Sequence, residues 1–254
     1  MERRKLPKSG CKRFALNAVT ALWAPICALS LALSSKHTAG YNNSIGLEEL
    51  WLLFASFFVY NTHAKYSELR TVAKSSGLIA ALLTNALPPI SSQIALFAGL
   101  LWLGYYYALR SWAILKPILI GIVWVLATHA IPINDWLWNE IAFFRLGLIF
   151  VLSLAYDMVD QQRDLTQNTQ TLVLVLGVKN STLLSILLLV LFSCISWSMI
   201  SIRLPILVSS VCSICILVLL AWKTTTTSPD NPLWKILIDS VLLTYSISSF
   251  LAAS

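Results

Sequence analysis

Between Lys179 and Arg203 no charged residue interrupts the chain, and "LLSILLLVLFSC" (Leu183 to Cys194) lies in the middle of that stretch. In a medium without water such a segment must satisfy its backbone N–H and C=O groups internally, and the α-helix does so within one segment. About 20 apolar residues suffice to cross a bilayer. The pattern recurs at 14–33, 47–64, 77–91, 93–109, 114–131, 139–158, 180–199, 203–222 and 232–252. The expected fold class is all-α: a polytopic membrane protein whose single domain, 1–254, has nine transmembrane helices. Composition agrees, with 57% hydrophobic and 11% charged residues and a mean hydropathy of +0.76, beyond the range of soluble domains.

Punctuation between the spans is consistent with this count. "NALPPISSQ" (Asn85 to Gln93) reads as the tight turn between the third and fourth helices, and "TTTTSPDNP" (Thr224 to Pro232) as the turn before the ninth. The basic opening "MERRKLPKSGCKR" is followed by no small-residue cleavage site, so an uncleaved first helix is expected. Cys27, Cys194, Cys212 and Cys215 fall inside apolar stretches and are expected to be reduced, buried packing residues. "CSIC" lacks a second ligand pair for a metal.

Nine spans alternate sides, which makes orientation testable. With the N-terminus cytoplasmic, all of the 18 Lys and Arg except Lys36, Arg145 and Arg203 fall on the inner side. That is the bias of a cytoplasmic face beside anionic lipid. The pI of 9.3 therefore requires no nucleic-acid partner.

In this topology the second and sixth spans end on the same side, in "VYNTHAKYSELR" (Val59 to Arg70) and "YDMVDQQRDLTQNTQT" (Tyr156 to Thr171). If the helix continues, spacing of i, i+3 and i+7 puts Asp157, Asp160 and Asp164 on one stripe. Two readings are open. The carboxylates hold a hard cation such as Mg²⁺, whose remaining ligands are water and substrate phosphate, or they begin a solvated loop paired with Arg163 and nearby lysines.

Asp157, Asp160, Asp164 and Thr171 with the following "LVLVLG" resemble the second aspartate-rich motif of the UbiA-type intramembrane prenyltransferase family, D-x-x-D-x-x-x-D-x-x-x-G-x-x-T-L-P-x-x-x-G. "YYYALRSWAILKPILIGIVW" (Tyr105 to Trp124) resembles that family's connection between its fourth and fifth helices. The resemblance covers essentially the whole chain. It implies a helical bundle around a central, lipid-accessible cavity, with Mg²⁺ as cofactor. It also implies transfer of a prenyl group from a prenyl diphosphate to a lipophilic acceptor within the bilayer. Asp157, Asp160 and Asp164 would be the metal ligands, and Trp102, Tyr105, Tyr106, Tyr107, Trp124 and Trp136 are candidates for the aromatic lining.

The first motif of that family, N-D-x-x-D-x-x-x-D, aligns with "NTHAKYSEL": Asn61 is kept, but Thr62, Lys65 and Leu69 stand where aspartates belong, with Glu68 one position off. Lys65 would repel Mg²⁺ and attract diphosphate. Asn61, Lys65, Arg70 and Lys116 are accordingly the candidate diphosphate-binding residues. In the second motif Asn168 replaces Gly and Val173 replaces Pro.

No catalytic base is assigned. His129 reads as an interfacial or hydrogen-bonded histidine and His37 as a loop residue without a partner, while Arg145 is expected to pair with Glu140 or to reach outward. Three functions are open: the prenyl transfer, an isoprenoid-binding protein of the same fold with reduced or no activity, and a small transporter using the aspartates as an ion relay.

Overall fold

The computed structural model describes residues 8–41, 44–62, 67–109, 112–136, 139–166, 169–197, 203–224 and 232–253. The described residues are helical with no strand. In chain order the helices are α1 (Lys8–Thr38), α2 (Leu47–Asn61), α3 (Ser67–Thr84) and α4 (Pro89–Gly104), the last running into a π turn at Tyr105–Leu109. Next come α5 (Leu115–Val125), a π turn at Leu126–Ala130 and α6 (Ile131–Ile133), which together form one rod. Then follow α7 (Glu140–Val159), α8 (Gln161–Thr166), α9 (Leu172–Ser196), α10 (Arg203–Thr224) and α11 (Pro232–Ala253). Five stretches are long and apolar enough to cross a membrane: 115–133, α7, α9, and most of α10 and α11.

Helix ends follow local chemistry. Asn139 caps α7 by accepting a hydrogen bond from the Ala142 N–H at 3.0 Å. In the first turn of α2, Oε2 of Glu49 accepts the Gly46 N–H at 2.7 Å, and Oε1 lies 2.8 Å from Nζ of Lys36 at the end of α1. Asn134 ends α6 in the left-handed region (φ 51°), a conformation that asparagine tolerates. Its Oδ1 accepts from both the N–H and the hydroxyl of Ser91, tying α6 to the start of α4. Pro89 opens α4, because at the first helical position its missing N–H costs nothing.

The third helix begins at Ser67 and ends at Thr84, rather than spanning 77–91. Its first turns are polar, with Arg70 exposed, so hydropathy hides a helix that the backbone forms. The seventh span starts at Leu172 instead of 180, but Gly177 breaks it with φ 76° and ψ 160°, and the straight rod follows that break. Such a backbone conformation strongly favours glycine.

α7 is the central rod, packing on α5, α9, α10 and α11. Phe144, Leu148, Val151, Leu154, Ala155 and Met158 on it are fully buried. Between apolar helices in lipid, association rests on close packing rather than on removal from water. Gly147 permits it here: a Cβ at that position would lie 2.2 Å from the Phe192 ring of α9. The outer faces of α9 and α10 carry exposed Leu183, Leu187, Val190, Leu207, Val211 and Val218, as a lipid-facing surface requires.

Arg145 pairs with neither Glu140 nor solvent. It is fully buried on α7 and donates from Nη2 to Ser34 Oγ at 2.6 Å and from Nη1 to Ser35 Oγ and to the Thr128 carbonyl at 3.3 Å, with its guanidinium 5.2 Å from the Tyr245 ring centre. The sequence supplies the reason. Pro132 cannot donate to the carbonyl four residues back, which is Thr128, and its ring crowds that carbonyl. The helix widens into the π turn, and the Thr128 oxygen receives Ser35 Oγ at 2.7 Å and Arg145 instead.

Two smaller expectations also change. His37 lies in the last turn of α1 with its ring 4.8 Å from that of Phe250. Cys27 is buried, but Cys194 and Cys215 are exposed on outward helix faces and Cys212 is half-buried, all as free thiols. His129 is buried in the π turn.

Candidate functional site

The aspartate stripe does not lie on one unbroken helix. Asp157 is in the last turn of α7, Asp160 is its C-terminal cap with φ −90° and ψ 7°, and Asp164 belongs to the short α8. Backbone bonds from Asp160 N–H to Tyr156 C=O and from Asp164 N–H to Asp160 C=O, both 2.9 Å, carry the chain through this bend. Asp157 and Asp164 are buried. Thr171 caps α9 by accepting the Leu174 N–H at 3.4 Å, which explains a threonine at that place in the motif.

Two of the carboxylates carry lysines. Lys116, in the first turn of α5, forms an ion pair with Oδ1 of Asp157, and both side chains are largely buried. Lys235, in the first turn of α11, lies 2.8 Å from Oδ1 and 2.9 Å from Oδ2 of Asp160. Arg163, exposed on α8, adds a third cation at the rim. Oδ2 of Asp157 is buried and accepts no hydrogen bond.

Of these groups Lys116, Asp160 and Arg163 line a cavity of about 530 Å³ together with Asp164, Trp102, Tyr105, Tyr106 and Trp124, whereas Asp157 and Lys235 stand behind its wall. A second cavity, about 170 Å³, is almost wholly apolar and reaches down to Ala28, Trp51, Ala80 and Thr128. The two share Val59, Tyr60, Trp102, Val123 and Trp124 as walls. A charged chamber and an apolar one thus adjoin at a neck of shared aromatic and aliphatic walls. In the neck the rings of Trp102 and Tyr106 stack at 5.7 Å, and Tyr60 meets Trp124 edge-on at 6.0 Å.

Of the candidate diphosphate-binding residues, Lys116 lines the chamber. Asn61 does not: it is buried, and its Nδ2 donates to the carbonyls of Ala21 at 3.1 Å and Phe57 at 3.0 Å, clamping α2 to α1. Arg70 is exposed on α3 and is not a wall of either cavity. Lys65, His63 and Asn168, with the side chain of Glu68, lie outside the described residues. Trp102, Tyr105, Tyr106 and Trp124 are lining residues, whereas Tyr107 is 80% exposed and Trp136 stacks edge-on against Phe97.

Sequence reasoning missed Tyr60 in the neck, Lys235 beside Asp160, and Asp239 one turn further along α11. Asp239 is buried, and its backbone carbonyl accepts the Cys27 thiol at 3.3 Å. A lone carboxylate within an apolar span is itself a signal, and Lys235 with Asp239 shows the i, i+4 spacing of one helix face.

The donor set does not fit a Mg²⁺ site built on three carboxylates. Among the described residues no three His, Cys, Asp or Glu side chains converge as metal ligands. Asp160 has both oxygens occupied by one ammonium group, and Asp157 has one.

No protein-family model and no curated protein matches the chain. Solved structures do. A UbiA homolog from Archaeoglobus fulgidus bound to GPP and Mg²⁺ is similar with TM-score 0.58 and 12% identity, covering 93% of this chain and 96% of that one. The same homolog bound to Cd²⁺ gives TM-score 0.55 and 14% identity over the same shares. A digeranylgeranylglyceryl phosphate synthase of membranes gives TM-score 0.55 and 16% identity, again over 93% and 96%. At these identities the likeness concerns the fold: this chain is an all-helical integral membrane protein with a UbiA-like architecture.

Proposed function

We propose that this chain binds a prenyl diphosphate and transfers the prenyl group to a lipophilic acceptor within the membrane. The observation that carries the reading is a chamber walled by Lys116 and Arg163 beside Asp160 and Asp164, adjoining an apolar chamber that shares its aromatic wall. That shape suits an amphiphile with an anionic head and a hydrocarbon tail. Lys116 and Arg163 would hold the diphosphate, and the tail would enter between Tyr60, Trp102 and Trp124.

The chemistry asked of these residues is modest. The bond from C1 of the prenyl chain to the diphosphate oxygen breaks, a bond from C1 to the acceptor forms, and the acceptor gives up a proton. Fixed cations beside the departing oxygen stabilise the charge that develops there. Aromatic faces stabilise the allylic carbon as it becomes cationic, and the apolar walls keep water from capturing it. On the same reading residues 1–254 would form one domain with nine spans, and the bias of Lys and Arg supports an orientation with the N-terminus and the charged chamber cytoplasmic.

The test is incubation of the purified protein in lipid nanodiscs with geranyl, farnesyl or geranylgeranyl diphosphate and a membrane-lipid extract. Diphosphate release and prenylated products are followed by mass spectrometry. Release coupled to a new prenylated lipid is the expected result. Tight binding without release would favour a second reading, an isoprenoid-binding protein without turnover. The pairing of Asp157 and Asp160 with lysines favours that alternative. Absence of binding to all three donors would overturn both.

A further inference from the structure

We propose that Lys116 and Arg163 at the chamber wall, with Lys235 neutralising Asp160 from behind it, take the place of a divalent cation in this chain, so that the diphosphate head group is held without one. The inference rests on the prenyl-diphosphate reading and goes beyond it by specifying how the head group is recognised.

Charge balance carries the argument. A carboxylate cluster that recruits Mg²⁺ is net negative until the ion arrives. Here Asp157, Asp160 and Asp164 are matched in formal charge by Lys116, Lys235 and Arg163, which come from three different helices. The pairing is built in rather than incidental. Lys235 addresses both oxygens of Asp160 at 2.8 and 2.9 Å, the two atoms a metal would need. Lys116 holds Asp157 from a position 13% exposed, so its ammonium group is fixed at the chamber wall.

A cation seated among these aspartates would have to displace the ammonium groups already paired with Asp157 and Asp160. An anion needs no displacement. An ammonium group has three donors, so those not engaged by carboxylate remain for phosphate oxygens. Lys116 and Lys235 each lie in the first turn of a helix, where the positive end of the backbone dipole adds to their field. The sequence points the same way, since Lys65 stands where the resemblance expects a metal-binding aspartate.

The experiment is a titration of the full-length protein in detergent with geranyl diphosphate, following the thermal midpoint in EDTA and then in excess Mg²⁺. A ligand that binds the folded state raises the midpoint by mass action. The expected result is a saturable rise in EDTA, with affinity unchanged or weakened when Mg²⁺ is present to complex the diphosphate. Geraniol should give no comparable rise. Lys116→Ala should weaken binding by about tenfold, the loss of roughly one charged hydrogen bond; Lys235→Ala should weaken it by a similar factor by leaving the Asp160 carboxylate uncompensated at the wall, and Lys235→Arg should recover most of that loss. Arg163 is exposed, so Arg163→Ala tests the same idea without threatening the fold, and weaker binding is again expected. A rise seen only with Mg²⁺, lysine and arginine variants that bind like the parent, or an equal rise with geraniol would each overturn the inference while leaving isoprenoid binding intact. No rise in either buffer would overturn the prenyl-diphosphate reading itself.

Discussion

Nζ of Lys235 lies 2.8 Å from Oδ1 of Asp160, so the first turn of the last helix is fastened to the end of the central one. Both side chains are mostly shielded, at 25% and 22% exposure. Their coupling should be measurable in a double-mutant cycle. Asp160→Asn and Lys235→Gln should each lower the thermal midpoint, and the double variant should lose less than the sum, with a coupling of about 1 kcal/mol. Strict additivity would mean that the pair contributes nothing to holding α11.

Asp157 and Lys116 are more deeply placed, so breaking them unevenly should cost more. Asp157→Asn leaves the Lys116 ammonium without its counter-charge and should destabilise the protein by about 3 kcal/mol. Lys116→Met combined with Asp157→Leu should recover much of that stability while weakening diphosphate binding by about tenfold. If Asp157→Asn is as stable as the parent, the ion pair is not a structural element.

Arg145 should separate stability from ligand binding. Its guanidinium serves Ser34, Ser35 and the Thr128 carbonyl and lines neither cavity. Arg145→Ala is expected to cost about 3 kcal/mol, because it leaves those groups unpaired in a buried site. Affinity for geranyl diphosphate in the surviving folded fraction should stay within about twofold of the parent, a difference of roughly 0.4 kcal/mol. A selective loss of affinity at normal stability would place Arg145 in the ligand path.

Filling the apolar chamber should discriminate tail from head. Ala55, half-buried on α2, is one of its walls. Ala55→Phe should weaken geranylgeranyl diphosphate binding by about tenfold, the loss of roughly two buried methylenes, and leave inorganic diphosphate binding unchanged. Equal effects on the two ligands would show that the tail lies elsewhere.

Much of the fold was legible because hydropathy is a property of each segment by itself. The rods at 115–133, α7, α10 and α11 lie within a few residues of the expected spans. α3 was misjudged by ten residues at its start because Ser67 to Lys74 is polar and reads as a loop. The site was legible only in part. Asp157, Asp160, Asp164 and Lys116 stand at the ends of spans, where a polar residue attracts notice. Which carboxylate meets which lysine depends on helix adjacency, and no local pattern joins Lys235 to Asp160. Tyr60 carries no signal of its own in the sequence, and it joins the neck because its ring meets that of Trp124 on α5. Asn61, kept from a motif, serves instead to bond α2 to α1, because its amide meets the Ala21 carbonyl first.

Synthesis runs from the N-terminus, so Asp160 is made 75 positions ahead of the lysine that neutralises it. Until the ribosome has delivered the final helix, the centre of the bundle ends in an uncompensated carboxylate at the membrane surface. A chain truncated before Pro232 would carry that charge defect permanently, together with the bared faces of α1 and α10 that α11 covers. The last helix thus finishes two tasks together: it covers the faces of α1 and α10 and brings the counter-charge to Asp160.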